Sequence, residues 1–475
     1  MIAEHPHSRR ILLASVGTLI RIPKKVAVNV LHHPLLHALA GFTVKRVKHL
    51  MLMLAAVVLV AAGCGKKDQA EADDPQAAES IAPVISNTPP TFEVDATKLL
   101  TARLPVEETR AGWVRLFDEH TLFGWQIAAP ANWRIESGAI KVDAGDTGLL
   151  CTSVPWQDFE LRLEIKADEK TNSGIFLRTP LTPEDPATDC YEFNIAPADN
   201  PFPTGSLVKR LRSDADIKLD PQAWHLYEFR LVGDRLTVSI NGQQVLDYTD
   251  PLPLAPGRIG LQHNAGAVAF RDIRIRPIGL EKLITDDLAN WTQYPDMAGK
   301  FEMIEGGLLQ VTDGRGQLES KESYDDFVLF AEAKTMSENL NSGIFFRCIP
   351  GETMNGYECQ INHAIKDADP LAPADCGTGG IFRRSDARIV AASDREWFTM
   401  MLVANRSQVA AWVNGLQVTD WKDNRQADPN PRKGLRLEAG TLMIQAHDPT
   451  TDLLFKSLDV MPIAKPTQGA VEPGA

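Results

Sequence analysis

The chain has 475 residues, 44 % hydrophobic and 23 % charged, with a formal net charge of −13 at pH 7. Such proportions belong to a globular protein with length for about two or three domains. They exclude a nucleic-acid backbone as the main partner, because phosphate binding draws on clustered Lys and Arg.

Residues 1–43 carry no strong fold signal, and an extended leader and an over-long start are both open readings. Lys45-Arg46-Val47-Lys48 then precedes an apolar run of 13 residues, Leu50 to Ala62, and Gly63-Cys64. A basic segment, a short apolar segment and small residues before a break form a secretory signal, and the run is short for a bilayer span. Ala61-Ala62-Gly63-Cys64 resembles the bacterial lipobox, which implies lipidation of Cys64, a membrane anchor and, with Gly65 next, the outer membrane; a plain signal peptide is the alternative. Residues 1–63 are therefore read as leader and signal. Residues 64–108, rich in Ala, Pro, Asp and Glu, are read as a flexible tether.

Beyond the tether the chain repeats itself. Asn172-Ser173-Gly174-Ile175-Phe176-Leu177-Arg178 returns 169 residues later as Asn341-Ser342-Gly343-Ile344-Phe345-Phe346-Arg347, six of seven positions matching. A period this long means a duplicated domain, since solenoid repeats run to about 20–50 residues. In the first copy, residues 109–278, Phe159, Leu161, Leu163 and Ile165 alternate with Glu160, Arg162, Glu164 and Lys166. Strict alternation of this kind predicts a half-buried antiparallel strand. Continued into the motif, it puts Asn172, Gly174, Phe176 and Arg178 on one face, with Glu192 and Asn194 likewise paired on the following strand. Asn241-Gly242 predicts a type I′ hairpin.

The second copy, residues 279–463, keeps the order: Trp291, the strand Asp326–Lys334, the motif, Tyr357-Glu358-Cys359-Gln360, Asn414-Gly415, and a closing Ile444-Gln445-Ala446-His447-Asp448; residues 464–475 form a tail. Many short strands with turn signals and almost no helical period predict an all-β protein made of two tandem sandwiches. Five cysteines remain after Cys64, an odd number that leaves at least one thiol free or paired between chains, and no C-x-x-C spacing occurs. The oligomeric state is not legible.

The N-S-G-I-F-x-R strand, the following Y-E-x-[QN]-I, the T-G turn, the Trp before the N-G hairpin and the closing strands together resemble the bacterial 3-keto-disaccharide hydrolase domain, twice over. That resemblance implies concanavalin A-like jelly rolls. It also implies cleavage of glycosides already oxidised to a ketone at C3, by elimination across C1–C2 and then hydration. A C3 ketone acidifies the C2 proton, so the reaction needs a base at C2, a stabiliser for the enolate oxygen and help for the leaving group.

On this basis Glu192 is assigned as base or metal ligand, with Asn172, Arg178 and Asn194 holding substrate, Lys166 and Glu164 at the rim, and His263 as a second acid or base. Their counterparts are Glu358, Asn341, Arg347, Gln360, Lys334, Glu332 and His447. A divalent metal is an open possibility, with no ligand set identified. The family's acidic position two residues beyond the Gln is lost in both copies, as Ala196 and Asn362, while His447 fits the pattern better than His263, so the second copy is the better candidate for activity. Simpler roles compete: Asn and Arg tying loops, Glu in a structural ion pair, His in a partly buried site, Trp125, Trp133 and Trp291 in a core. A non-catalytic carbohydrate-binding protein and a structural envelope module are the alternative functions.

Overall fold

A computed structural model describes residues 85, 86, 88 and 94–465; the expected signal, lipobox and most of the tether lie outside them. Each copy is a two-sheet antiparallel sandwich with the same strand order. In the first, a five-stranded sheet runs Trp125–Ile127, Gly148–Thr152, Arg258–His263, Ser173–Thr179, Tyr191–Ile195. It faces an eight-stranded sheet centred on Phe159–Ala167 and Val268–Pro277. In the second, Trp291–Gln293, Gly316–Tyr324, Gly440–Ala446, Ser342–Cys348 and Tyr357–Ile361 form the small sheet, facing an eight-stranded sheet centred on Phe327–Thr335 and Asp452–Pro462. The fold is all-β, as the alternation predicts, and jelly-roll-like, as the family resemblance implies.

Period two decides which side chains meet the core. Phe159, Leu161, Leu163 and Ile165 point inward against Ile175, Leu177 and Phe193, and Ile344, Phe346, Cys359 and Ile444 do the same in the second copy. Trp125 and Trp291 are core residues, each donating its indole N–H to a backbone carbonyl, of Leu116 and Leu283. Asn241-Gly242 (φ 51° and 78°) and Asn414-Gly415 (φ 49° and 78°) adopt the left-handed conformations of I′ hairpins.

The outer faces of the large sheets differ. In the first copy this face is a lattice of ion pairs: Glu160 with Arg230 and Arg276, Glu164 with Arg271, Arg162 with Glu228. In the second, Val328, Phe330, Met401 and Val403 replace the charges and, with Trp412 in the place of Ser239, join the first sandwich's core cluster. Trp412 packs against Trp156 with ring centroids 5.8 Å apart and the planes tilted by 58°, and donates to the Arg115 carbonyl at 2.8 Å. Arg388 pairs with Asp118 at 2.8 Å beside that contact.

Three expectations are corrected here. The tether stops short of residue 108: Ala96–Thr101 and Val106–Arg110 are helices, the first capped by Asp95, and its Leu99 and Ala102 are buried in the second core, because this stretch supplies apolar side chains that the second sandwich covers. Lys166, Glu164, Lys334 and Glu332 stand on the large sheets, across the sandwich from the motif, and cannot rim its outer face; Glu332 instead accepts from Arg110 at 2.7 Å. Arg178 and Arg347 leave the motif's outer face altogether. Each has φ 48°, which turns the side chain off the alternation and toward the end of the sandwich. Arg347 donates to the Asp325, Arg406 and Arg436 carbonyls and to Asp326 at 2.8 Å, and Arg178 to the Gln157, Gly233 and Leu254 carbonyls and Asp158.

Replacing Arg347 by Ala strands Asp326 and three carbonyls in a site where the arginine is 1 % exposed. We expect a loss of about 3–5 kcal/mol in denaturant unfolding, with the motif's reactive side chains untouched.

Candidate active site

The motif strand carries the site on its outer face. Because Ile344 and Phe346 face the core, Phe345 faces out, and the same parity exposes Glu358 and Gln360 on the next strand and Gln445 on the closing one. Phe345 lies directly opposite Glu358, and Gly343 opposite Gln360. Gly343 is required by closeness: a Cβ there would lie 2.9 Å from the Glu358 Cγ and Oε1. The Ser of the motif, Ser342, turns inward and donates to the Gln445 carbonyl at 2.7 Å.

Phe345, Glu358 and Gln445, with Arg315, Asn341, Met354, Phe382, Arg432 and His447, line a cavity of about 250 Å³. Glu358 is 9 % exposed. Burial raises its carboxyl to about 7; Asp375 adds to the rise, while Arg432 and Arg383 oppose it. Gln360 donates to Asn341 at 3.1 Å, and Asn341 donates to Asp375 at 3.1 Å. His447 is held through Nδ1 by Asp448, 2.8 Å away, whose carboxyl is lowered to about 2 by bonds from Thr450 and His447.

One wall of the cavity is fixed from below. Glu319, 3 % exposed, accepts from Tyr294, from Thr441 at 2.6 Å and from the Gly351 N–H. Gln317 accepts from the Met354 N–H at 2.8 Å. Met354 in turn takes a bond from Arg432 on its carbonyl.

The structure thus brings Glu358, Asn341, Gln360 and His447 together. Sequence reasoning missed Asp375, Arg315 and Arg432. Asp375 follows a hairpin, Ile365–Lys366 with Asp369–Pro373, and Arg432 lies in the loop after Asp423; the signal available was length, since both loops are longer in the second copy.

In the first copy Glu192 occupies the equivalent place, raised by burial to about 7, with the Gln262 bond and Lys209 opposing. Asn172 sits beside the strand in an antiparallel bridge to Ala265. Asn194 is turned aside to donate to the Phe202 carbonyl. His263 is a correction: it shares the parity of Ile259 and Leu261, which face the core, and is 3 % exposed. Gln262 takes the outward position, so His263 cannot work with Glu192. All five described cysteines are buried free thiols. Among the described residues no group of three or more His, Cys, Asp or Glu is arranged to hold a metal ion with Glu192.

The sequence profile of the 3-keto-alpha-glucoside-1,2-lyase-like domain matches residues 112–276 and again 281–461. The chain belongs to this family. A 3-keto-disaccharide hydrolase of Bacteroides thetaiotaomicron is 33 % identical over 135 residues, 26 % of this chain and 44 % of that protein; the match therefore spans less than half of the relative. Among solved structures, a candidate glycosyl hydrolase from Parabacteroides distasonis has 16 % identity, covers 37 % of this chain and 98 % of its own, and gives a TM-score of 0.33. The carbohydrate-binding module CBM66 from Bacillus subtilis has 15 % identity, covers 32 % and 95 %, and gives 0.27. Within the 3-keto-alpha-glucoside-1,2-lyase-like family, this chain is a tandem member whose two outer faces have diverged.

The Gly343 contact gives a direct test. Gly343→Ala should displace the Glu358 carboxyl and move its titration away from about 7, read by carboxyl NMR, while circular dichroism and the unfolding midpoint change little.

Proposed function

We propose that the second sandwich cleaves 3-keto-glycosides by elimination and hydration. The observation that carries this reading is Glu358: a buried carboxyl raised to about 7 in a cavity that also holds two arginines and a carboxylate-oriented histidine. A base near neutrality fits the removal of a proton acidified by a neighbouring ketone.

The ionised Glu358 takes the C2 proton. The electron pair delocalises onto the C3 oxygen, where Arg315 and Arg432 offer positive charge to the enolate. It then returns to form the C1–C2 double bond as the C1–oxygen bond breaks, and the departing aglycone oxygen takes its proton from His447, which Asp448 orients. Water then adds across C1–C2: its hydroxyl goes to C1, its proton to His447, which restores the acid, and C2 takes back the proton held by the Glu358 carboxyl. The net change is one water consumed per glycoside, giving the 3-keto sugar and the free aglycone. Asn341, held in place by Gln360 and Asp375, is the amide that meets sugar hydroxyls.

The same reading makes the protein an exported lipoprotein, supported by the Lys45–Lys48 basic segment, the Leu50–Ala62 apolar run and the Ala61–Cys64 pattern. Acyl chains on Cys64 would hold it by burying their methylenes in the bilayer. Cys64→Ser in the native host should move the protein from the membrane fraction to the soluble one, read by immunoblot; an unchanged membrane fraction counts against the anchor.

Incubation of the full chain with an aryl 3-keto-glucoside should release the aglycone. Glu358→Gln should lower kcat about 10²–10⁴-fold. Since the base is the ionised form and its pKa is raised, kcat/KM should climb with pH through about 7. Stability runs the other way: the carboxyl's contribution falls as pH rises from its unfolded value through about 7, and the glutamine variant should lack that decline.

A further inference from the structure

The duplication allows the loop beside each buried glutamate to be aligned residue by residue. Leu207 bridges Phe193 as Ile381 bridges Cys359. The Val208 N–H donates to the Glu192 carbonyl as the Phe382 N–H donates to that of Glu358. Lys209 therefore corresponds to Arg383, both at φ 58°, and Arg210 to Arg384.

In the first copy both cations are answered. Lys209 pairs with Asp185 at 3.0 Å, and Arg210 pairs with Asp250 at 2.8 Å while lying over the Tyr191 ring. In the second copy a different arginine has taken that place: Arg425 pairs with Asp423 at 2.8 Å and lies over Tyr357. Arg384 is left with carbonyls alone, those of Arg383 and Arg432. Arg383 lies over the Phe382 ring, 5.0 Å from its centroid. Among the described residues neither has a carboxylate partner, and neither do Arg315 and Arg432 on the cavity wall. Acidic side chains on the neighbouring loops are engaged elsewhere: Glu438 with Arg436, Glu352 with Asn355, Asp428 with the Asn430 N–H.

Four unanswered cations thus collect around one cavity, in a chain with 62 acidic side chains to 49 basic ones. Among the described residues Glu358 is the single carboxyl on the cavity wall, against two arginines. The cations also work against one another: burial, then Arg425, with Arg383 as a smaller cause, holds the Arg384 guanidinium below its ordinary value. Like charges crowded at a cleft focus its attraction for an anion, and the guanidinium fork matches a carboxylate or a phosphate. At about 250 Å³ the cavity is smaller than the pockets of about 300–1,000 Å³ that enclose a drug-sized ligand. It holds a sugar ring and leaves the remainder of a glycoside outside, where Arg383 and Arg384 stand beyond the lining.

We infer that the second sandwich selects glycosides whose aglycone carries an oxyanion, a carboxylate or a phosphate, received by Arg383 and Arg384 at the cavity mouth. Arg315 and Arg432 stay with the enolate inside. The sugar class rests on the elimination reading given above; the preference for an anion rests on the unanswered arginines.

The test compares aryl 3-keto-glucosides that differ only in a para carboxylate, phosphate or carboxamide, on the full chain at a pH well above the Glu358 titration. We expect kcat/KM for at least one anion to exceed that for the carboxamide by about tenfold or more, the larger ratio naming the anion. The ratio should shrink as salt is added. Arg383→Ala and Arg384→Ala should each cut it about threefold or more, and Arg383→Lys should largely keep it. Because each variant is compared with itself on two substrates, differences in leaving group and in folded fraction cancel. Equal kcat/KM for charged and neutral substrates overturns the inference, as does a ratio that both alanine variants leave intact. If no substrate is cleaved, the elimination reading fails, and calorimetric titration with the unoxidised carboxylate, phosphate and carboxamide glucosides decides the preference by itself. Tighter binding of an anion, lost in Arg383→Ala, upholds it; equal binding or none overturns it.

Discussion

The arginine that ends each motif strand is the fixture on which the sandwich depends. Its left-handed backbone turns a long cationic side chain off the sheet and across the end of the fold, where it gathers three carbonyls and one aspartate from separate loops. A cation so buried is tolerable only because every nitrogen is answered. With that end closed, the small and large sheets are set in register, and the outer face of the small sheet is left clear for chemistry.

On that cleared face the two copies separated. Both retain a glutamate whose carboxyl is pushed up to about 7 by burial, so the scaffold itself, rather than a neighbouring charge, perturbs the acid. What distinguishes the second copy is delivered by loops: one longer connection presents Asp375 and another presents Arg432. Evolution of function on a rigid sheet through variable connections is the usual pattern, and here both versions survive in one chain.

Much of this was legible in the amino-acid order. Phe159 to Lys166 alternates so strictly that strand, core face and solvent face follow together, and the Asn-Gly pairs fix their hairpins. Glu192 and Glu358 are found by parity from the motif. Arg178 and Arg347 are misread for a definite reason: parity assumes extended φ, and a single positive φ reverses it. His263 is misplaced by one residue, which in a strand means the opposite face. Asp375 and Arg432 are invisible because sequence gives a loop's length without its path. The second copy's Phe327-Val328-Leu329-Phe330 run, by contrast, already announces a sheet covered on both sides.

That double covering changes what kind of object the duplicated unit is. Val328, Phe330, Met401 and Val403 occupy positions where the first copy carries charge, and with Trp412 they are buried against the first sandwich. Having traded a wettable exterior for this contact, the second unit can no longer be shuffled into another protein by itself. Recombination can carry the pair or neither, and the two lineages are bound to one inheritance.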